Sequence, residues 1–145
     1  MGLIASYLYP SFYKRLDANT WILEGRKGQY IELTVIDLDI HIKRSISDSY
    51  IEMFDISLEG TKSSFGRLHR KGINSTHYKS SWHMMVIEFR AGDIISGRGF
   101  FGRYKIIDSV SNMNQYVFSG KYFSYFLDEN KTNNIYIIQR RESLS

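Results

Sequence analysis

Apolar residues in this chain recur at every second position, and no window carries them at helical spacing for three turns. A period of two places successive side chains on opposite faces of a strand. In residues 29–37, Ile31, Leu33 and Val35 face one way, with Glu32 and Thr34 opposite. Ile51 and Met53 alternate with Glu52 and Phe54, and Met85, Ile87 and Phe89 alternate with Val86, Glu88 and Arg90. Phe100, Gly102 and Tyr104 share a face, and residues 21–23 form a shorter candidate strand. Several short strands separated by Gly, Ser, Asn and Asp clusters predict an all-β fold, an antiparallel β-sandwich. Trp21, Leu33, Val35, Ile51, Met53, Ile87, Phe89, Phe100 and Tyr104 are its expected core.

Turn chemistry sets the strand limits. Gly25 to Gly28 separates the Trp21 strand from the next one, which predicts a hairpin there. Residues 93–99 are rich in Gly and Ser and precede an aromatic strand, while residues 60–81 carry loops around a short strand near 64–68. The last forty positions differ in character. Residues 116–118 and 121–126 flank Ser119-Gly120, a candidate tight hairpin, and residues 134–139 form another candidate strand. The expected organisation is a sandwich domain over 1–108 and an extension over 109–145. That extension either pairs with the sandwich or serves as a linker to a further module.

At 145 residues, such a chain buries roughly 68 % of its unfolded surface and needs no staple to fold. None is available through sulfur: there is no cysteine, which excludes disulfides, thiolate zinc sites and Cys nucleophiles and by itself favours a reducing compartment. The net charge is +4, a mild excess that favours anionic partners. The basic residues are scattered, so nucleic acid is not an expected partner. Their densest stretch, Arg67, His69, Arg70 and Lys71, reads as a solvated loop, the alternative being contact with an anionic ligand. No apolar run approaches the ~18 residues of a membrane-spanning helix, and residues 1–9 lack the basic and apolar regions of a signal peptide.

No H-E-x-x-H, G-x-S-x-G or P-loop pattern occurs. His41, His69, His77 and His83 read as loop and strand residues. Glu32, Glu52 and Glu88 alternate with apolar positions and read as solvent-facing, whereas a glycosidase needs two carboxylates facing across a cleft. The chain is therefore not expected to be an enzyme. Asn74-Ser-Thr76 and Asn130-Lys-Thr132 match the glycosylation acceptor pattern, which makes Asn74 and Asn130 candidate glycan sites if the chain passes through the secretory route.

An ordered series of segments over about residues 2–107 resembles the CUB domain family. Gly2, Ile4, Ser6 and Tyr9-Pro10 resemble its opening, with Tyr13 at the place of a second Tyr. Thr20-Trp21-Ile22 matches the strand that begins with Trp. Gly28, Ile31, Leu33 and Val35 match the following Gly-x-x-Ile-x-Leu-x-Phe strand, with Leu38-Asp39 after it. Tyr50-Ile-Glu52-Met-Phe54-Asp55 resembles the family's Tyr-Val-Glu-Val-Tyr-Asp, Phe65-Gly66 lies where the family has Cys-Gly, and Phe89 through Gly92 with Gly97 through Tyr104 resembles the closing segment. The resemblance implies a jelly-roll-like sandwich. It also implies a non-catalytic protein- or glycan-binding or adhesion module of a larger, extracellular or secreted protein with an upstream signal peptide. The absent cysteines favour the alternative, an intracellular (cytoplasmic) structural β-sandwich with another partner.

Departures from the family pattern are informative. The family's disulfide positions fall on Asn19 and on about Ile46 and Phe65, which are expected to approach each other and fill the gap with apolar contact. Many CUB domains hold Ca²⁺ through a Glu after the long strand and two Asp residues. Here His41 takes the Glu position. The first Asp position falls on Ser49, with Asp48 one residue earlier, and the second falls on Gly92, with Asp93 one residue later. Asp48 and Asp93 thus make at most a degenerate calcium site, and neither calcium nor another cofactor is expected.

Overall fold

The computed structural model describes residues 1–40, 49–68, 76–93, 97–109 and 133–139, with the backbone alone for Thr76 and 133–139. Nine strands are described: β1 (Gly2–Ala5), β2 (Ala18–Glu24), β3 (Gln29–Asp39), β4 (Tyr50–Ile56), β5 (Lys62–Leu68), β6 (Thr76–Lys79), β7 (Met84–Arg90), β8 (Gly99–Asp108) and β9 (Asn133–Gln139). They form two sheets, β1-β8-β3-β6 and β5-β4-β7-β2-β9. The pairings are antiparallel except that of β9, which runs parallel to β2. The layers close face to face over the residues that alternation marks as inward: Trp21, Ile31, Leu33, Val35, Ile51, Met53, Ile87, Phe89 and Phe100 are all buried. Tyr104 packs against this core and is half-buried. An edge-on ring pair joins the sheets, Trp21 of β2 against Phe100 of β8 at 4.9 Å. Such aromatic pairs add to the stabilisation from buried area alone.

The expected hairpin at Gly25 to Gly28 is not present. The connection carries the chain from one sheet to the other, so β2 and β3 lie in opposite layers. Alternation sets which face of a strand is inward; it does not set the neighbour. A connection of this length serves both arrangements. Here Gly28 adopts a φ of 88°, open to glycine at little cost, and the Gln29 side chain accepts from the Arg26 amide at 2.8 Å.

A bulge decides the fate of two acids. The β3–β8 register shifts between Val35 and Asp37, leaving Ile36 as the extra residue, 44 % exposed. Strict alternation would place Asp37 and Asp39 on the inward face with Val35. One added residue reverses the parity, so Leu38 and Ile40 are buried and both aspartates turn outward.

Phe65 occupies a second bulge, opposite Met53 and Phe54. It is half-buried and lies against Tyr78, with ring centroids 6.4 Å apart; its expected neighbour Ile46 lies outside the described residues. Full burial of a phenylalanine contributes about 1.5–3 kcal/mol, so Phe65→Ala should lower stability by about 1–2 kcal/mol in denaturant melts, less than a core phenylalanine. A loss equal to that of Phe100→Ala would contradict the half-buried placement. At the other cysteine position, Asn19 is fully buried. Its Oδ1 accepts from the Tyr7 amide at 3.1 Å, so a hydrogen bond tethers the N-terminal segment to β2.

Candidate functional site

The strands' two ends differ in chemistry. At the upper end lie the start of β4, the end of β7 and the segment of residues 6–17. Ser49 is 2 % exposed there. Its Oγ accepts from the Gly92 amide at 2.9 Å and lies 3.1 Å from the Tyr13 hydroxyl. Tyr13 is also buried and sets its ring edge-on to Phe89 at 5.4 Å. The two positions where the resemblance implies aspartates are thus bonded to each other, a serine to a glycine amide. Asp93 follows Gly92 and is exposed. Asp48, His41, Asn74 and Asn130 lie outside the described residues.

Beside this end, the aspartates turned out by the β3 bulge meet Arg98. Its guanidinium lies 3.1 Å from Asp37 Oδ2 and 3.2 Å from Asp39 Oδ2, and its amide donates to Asp39 at 3.3 Å. Tyr9 donates to Asp37 at 2.8 Å and stacks on Phe101 at 5.5 Å. Donation to the Asp37 carboxylate, then burial, hold the Tyr9 phenol above its ordinary pKa. Arg98 reaches this position because Gly99, at φ 88°, turns the chain into β8 where the Ser6 hydroxyl fills the space a Cβ would need; Ser6 Oγ in turn accepts from the Phe100 amide at 3.0 Å.

Calcium binds about 6–8 oxygens, largely carboxylates and carbonyls. Among the described residues, Ser49, Asp37 and Asp39 do not meet that need. Ser49 is neutral and its oxygen is engaged, while Asp37 and Asp39 already have a cation between them. Among the described residues, no group of three His, Asp or Glu is placed to hold a metal.

The other expected surface residues fall on outward faces. Glu52 binds Arg67 at 2.8 Å and accepts from Ser64 at 2.9 Å. Desolvation opposes its charge, but the bonds from Arg67 and Ser64 prevail and hold its carboxyl below the usual range. Arg67, the first of the basic run, also lies over the Tyr50 ring at 3.8 Å. Glu88 pairs with Lys62 and Arg90. His77 bonds Thr34 Oγ1 at 2.9 Å.

At the lower end, the β2–β3, β4–β5 and β6–β7 connections frame a cleft lined by Lys27, Tyr30, Leu58, Lys79, Trp82 and His83, among others. Sequence patterning gives little notice of it. Trp82 lies between strands in Ser-Ser-Trp-His, an unusual place for a large ring, but Lys79 ends the strand before it and Lys27 comes from the distant β2–β3 connection.

Comparison with known proteins agrees with this architecture. The CUB domain family profile matches residues 1–104. Mouse (Mus musculus) membrane frizzled-related protein is 26 % identical over 113 residues, covering 77 % of this chain and 19 % of that protein. Blastula protease 10 of Paracentrotus lividus is 31 % identical over 108 residues, covering 73 % of this chain and 17 % of that protein. The chain therefore spans about a fifth of the length of these relatives. Among solved structures, the CUB1-EGF-CUB2 domain of human MASP-1/3 superposes with a TM-score of 0.66 at 17 % identity, covering 79 % of this chain and 46 % of that one. The family's module is non-catalytic, protease relatives notwithstanding, and among the described residues no helix is long and apolar enough to cross a membrane. With the sandwich, the aromatic pair between its sheets and a profile match over most of its length, this chain belongs to the CUB domain family.

Proposed function

We propose that the chain is a binding or adhesion module of a larger extracellular protein, which holds a protein or glycan ligand without a calcium bridge. The carrying observation is the upper end, where Arg98 already occupies the Asp37–Asp39 pair and the Ser49 hydroxyl is spent on Gly92 and Tyr13. A calcium-bridged ligand needs carboxylates left to the ion. The membrane-protein and protease relatives support an extracellular setting for the parent. In that setting Asn74 and Asn130 carry glycans, residues 1–108 are the module and residues 109–145 extend it. The intracellular reading rests on the absence of cysteine, which the Asn19 tether makes less telling.

Secretion tests the setting. Fused behind a signal peptide in cultured animal cells, the chain is expected in the medium, folded, with a mass that falls on deglycosylation and no longer does so in an Asn74→Gln, Asn130→Gln variant. Retention and degradation inside the cell, while the same chain folds in the cytosol, would favour the intracellular reading.

A further inference from the structure

The lower cleft lies at the end of the sandwich opposite the family-type site. Its volume is about 480 Å³, within the range of roughly 300–1,000 Å³ usual for small-ligand sites. Its lining includes two lysines, a histidine and two aromatic rings, and no Asp or Glu. Lys27 and Lys79 make no ion pair among the described residues; the Lys79 ammonium instead sits 3.9 Å from the centre of the Tyr30 ring. Two carboxylates that bond lining residues are turned to internal work. Asp108 accepts from the Gln29 side chain at 2.7 Å, and the buried Asp55 accepts from the Ser81 amide at 3.0 Å.

The turn that bears Trp82 is fixed from several sides. Ser80 Oγ accepts from the Ile31 amide at 2.8 Å and donates to the Trp82 carbonyl at 2.6 Å. Asp55 holds the Ser81 amide, and the His83 carbonyl accepts from the Gly25 amide at 2.7 Å. Yet the Trp82 side chain gains little from this order: the residue is 41 % exposed, beside Leu58 at 53 %. An exposed apolar ring on a backbone turn fixed in this way is a partly preorganised contact surface, because binding there need order the side chain but not the chain that carries it.

We propose that this cleft binds an acidic saccharide, with a pyranose ring lying on the Trp82 indole and Lys27 and Lys79 receiving its carboxylate or sulfate groups. This rests on the reading of the chain as a binding module and names its ligand class. The lysines supply charge-assisted hydrogen bonds, and the His83, Ser81 and Tyr30 side chains supply hydrogen bonds to hydroxyls. An acidic peptide fits less well. Extended peptides add along the length of a sheet edge, whereas this cleft takes only the ends of β3 and β6 and is otherwise built mainly from the β2–β3, β4–β5 and β6–β7 connections.

The test is calorimetric titration of the full chain with a sulfated, uronate-containing disaccharide prepared from heparin, with an uncharged disaccharide and with a Glu-rich peptide. Saturable binding of the sulfated sugar is expected, weakening as salt rises, with little binding of the uncharged one. A Lys27→Ala, Lys79→Ala double variant should lose about tenfold or more in affinity, given the strength of hydrogen bonds to charged groups, and a Trp82→Ala variant about tenfold through the lost apolar contact of its ring, with melting curves unchanged. No saturable binding, binding indifferent to these variants, or tighter binding of the peptide overturns the inference. A chain that is secreted and folded yet ignores the sugar overturns this inference alone, while failure of secretion bears on the proposed function.

Discussion

Phe100→Ala is expected to cost about 3–5 kcal/mol, the transfer-plus-cavity penalty of a fully buried phenylalanine. In a domain of this size each kcal/mol moves the melting temperature by roughly 2–4 °C, so the transition should fall by roughly 6–20 °C. The ring is fully buried and bridges the layers, edge-on to Trp21 and tilted against Phe89 with centroids 6.3 Å apart. Its loss removes contacts from both sheets at once. The neighbouring residue provides the control. Phe101 lies on the outer face of β8, half-buried under Tyr9, and Phe101→Ala should cost about 1 kcal/mol, in line with a half-buried aromatic pair on the outer face. Thermal and urea melts of the two variants check the register of β8 directly. A larger loss from Phe101→Ala than from Phe100→Ala would mean that β8 is turned over.

Ser49→Ala should destabilise by about 1–3 kcal/mol, the cost of leaving a buried polar group without its partner. The substitution strips the Gly92 amide of its acceptor and takes one partner from the Tyr13 hydroxyl. Tyr13→Phe is expected to cost less, because Ser49 then keeps its bond to Gly92. Urea titrations of both single variants and the double variant give the coupling between them, and the double variant should lose less than the sum. Full additivity, or a Ser49→Ala melt identical to that of the parent, would show that the serine does not join these segments.

Much of the fold was legible because burial in a sandwich imposes a period of two. Ile31, Leu33, Val35, Ile51, Met53, Ile87 and Phe89 are inward where alternation puts them. Neighbours were not legible. Nothing in Gly25 to Gly28 distinguishes a hairpin from a crossing between layers, and the parallel pairing of β9 with β2 joins positions over a hundred residues apart in sequence. Bulges defeat alternation outright: Ile36 is a single added residue, yet it moves Asp37 and Asp39 from the core side to the surface and so creates the Arg98 cluster. The upper end was legible in part. The offsets at Ser49 and Gly92 follow from the family pattern, but the Tyr13–Ser49–Gly92 bonding needs three distant segments in contact. The lower cleft was the least visible, since most of its residues lie in connections that carry no period and the rest at the ends of β3 and β6.

Calcium tests the hydrogen-bonded upper end most directly. A ligand at 100 times its dissociation constant adds about 2.7 kcal/mol to stability, which a melting curve detects. Melts in millimolar calcium and in chelator are predicted to coincide, because Ser49 is neutral and engaged and Arg98 holds Asp37 and Asp39. A clear calcium-dependent rise in melting temperature, abolished by Asp48→Ala or Asp93→Ala, would contradict the account and return a calcium-bridged mode of binding to this chain.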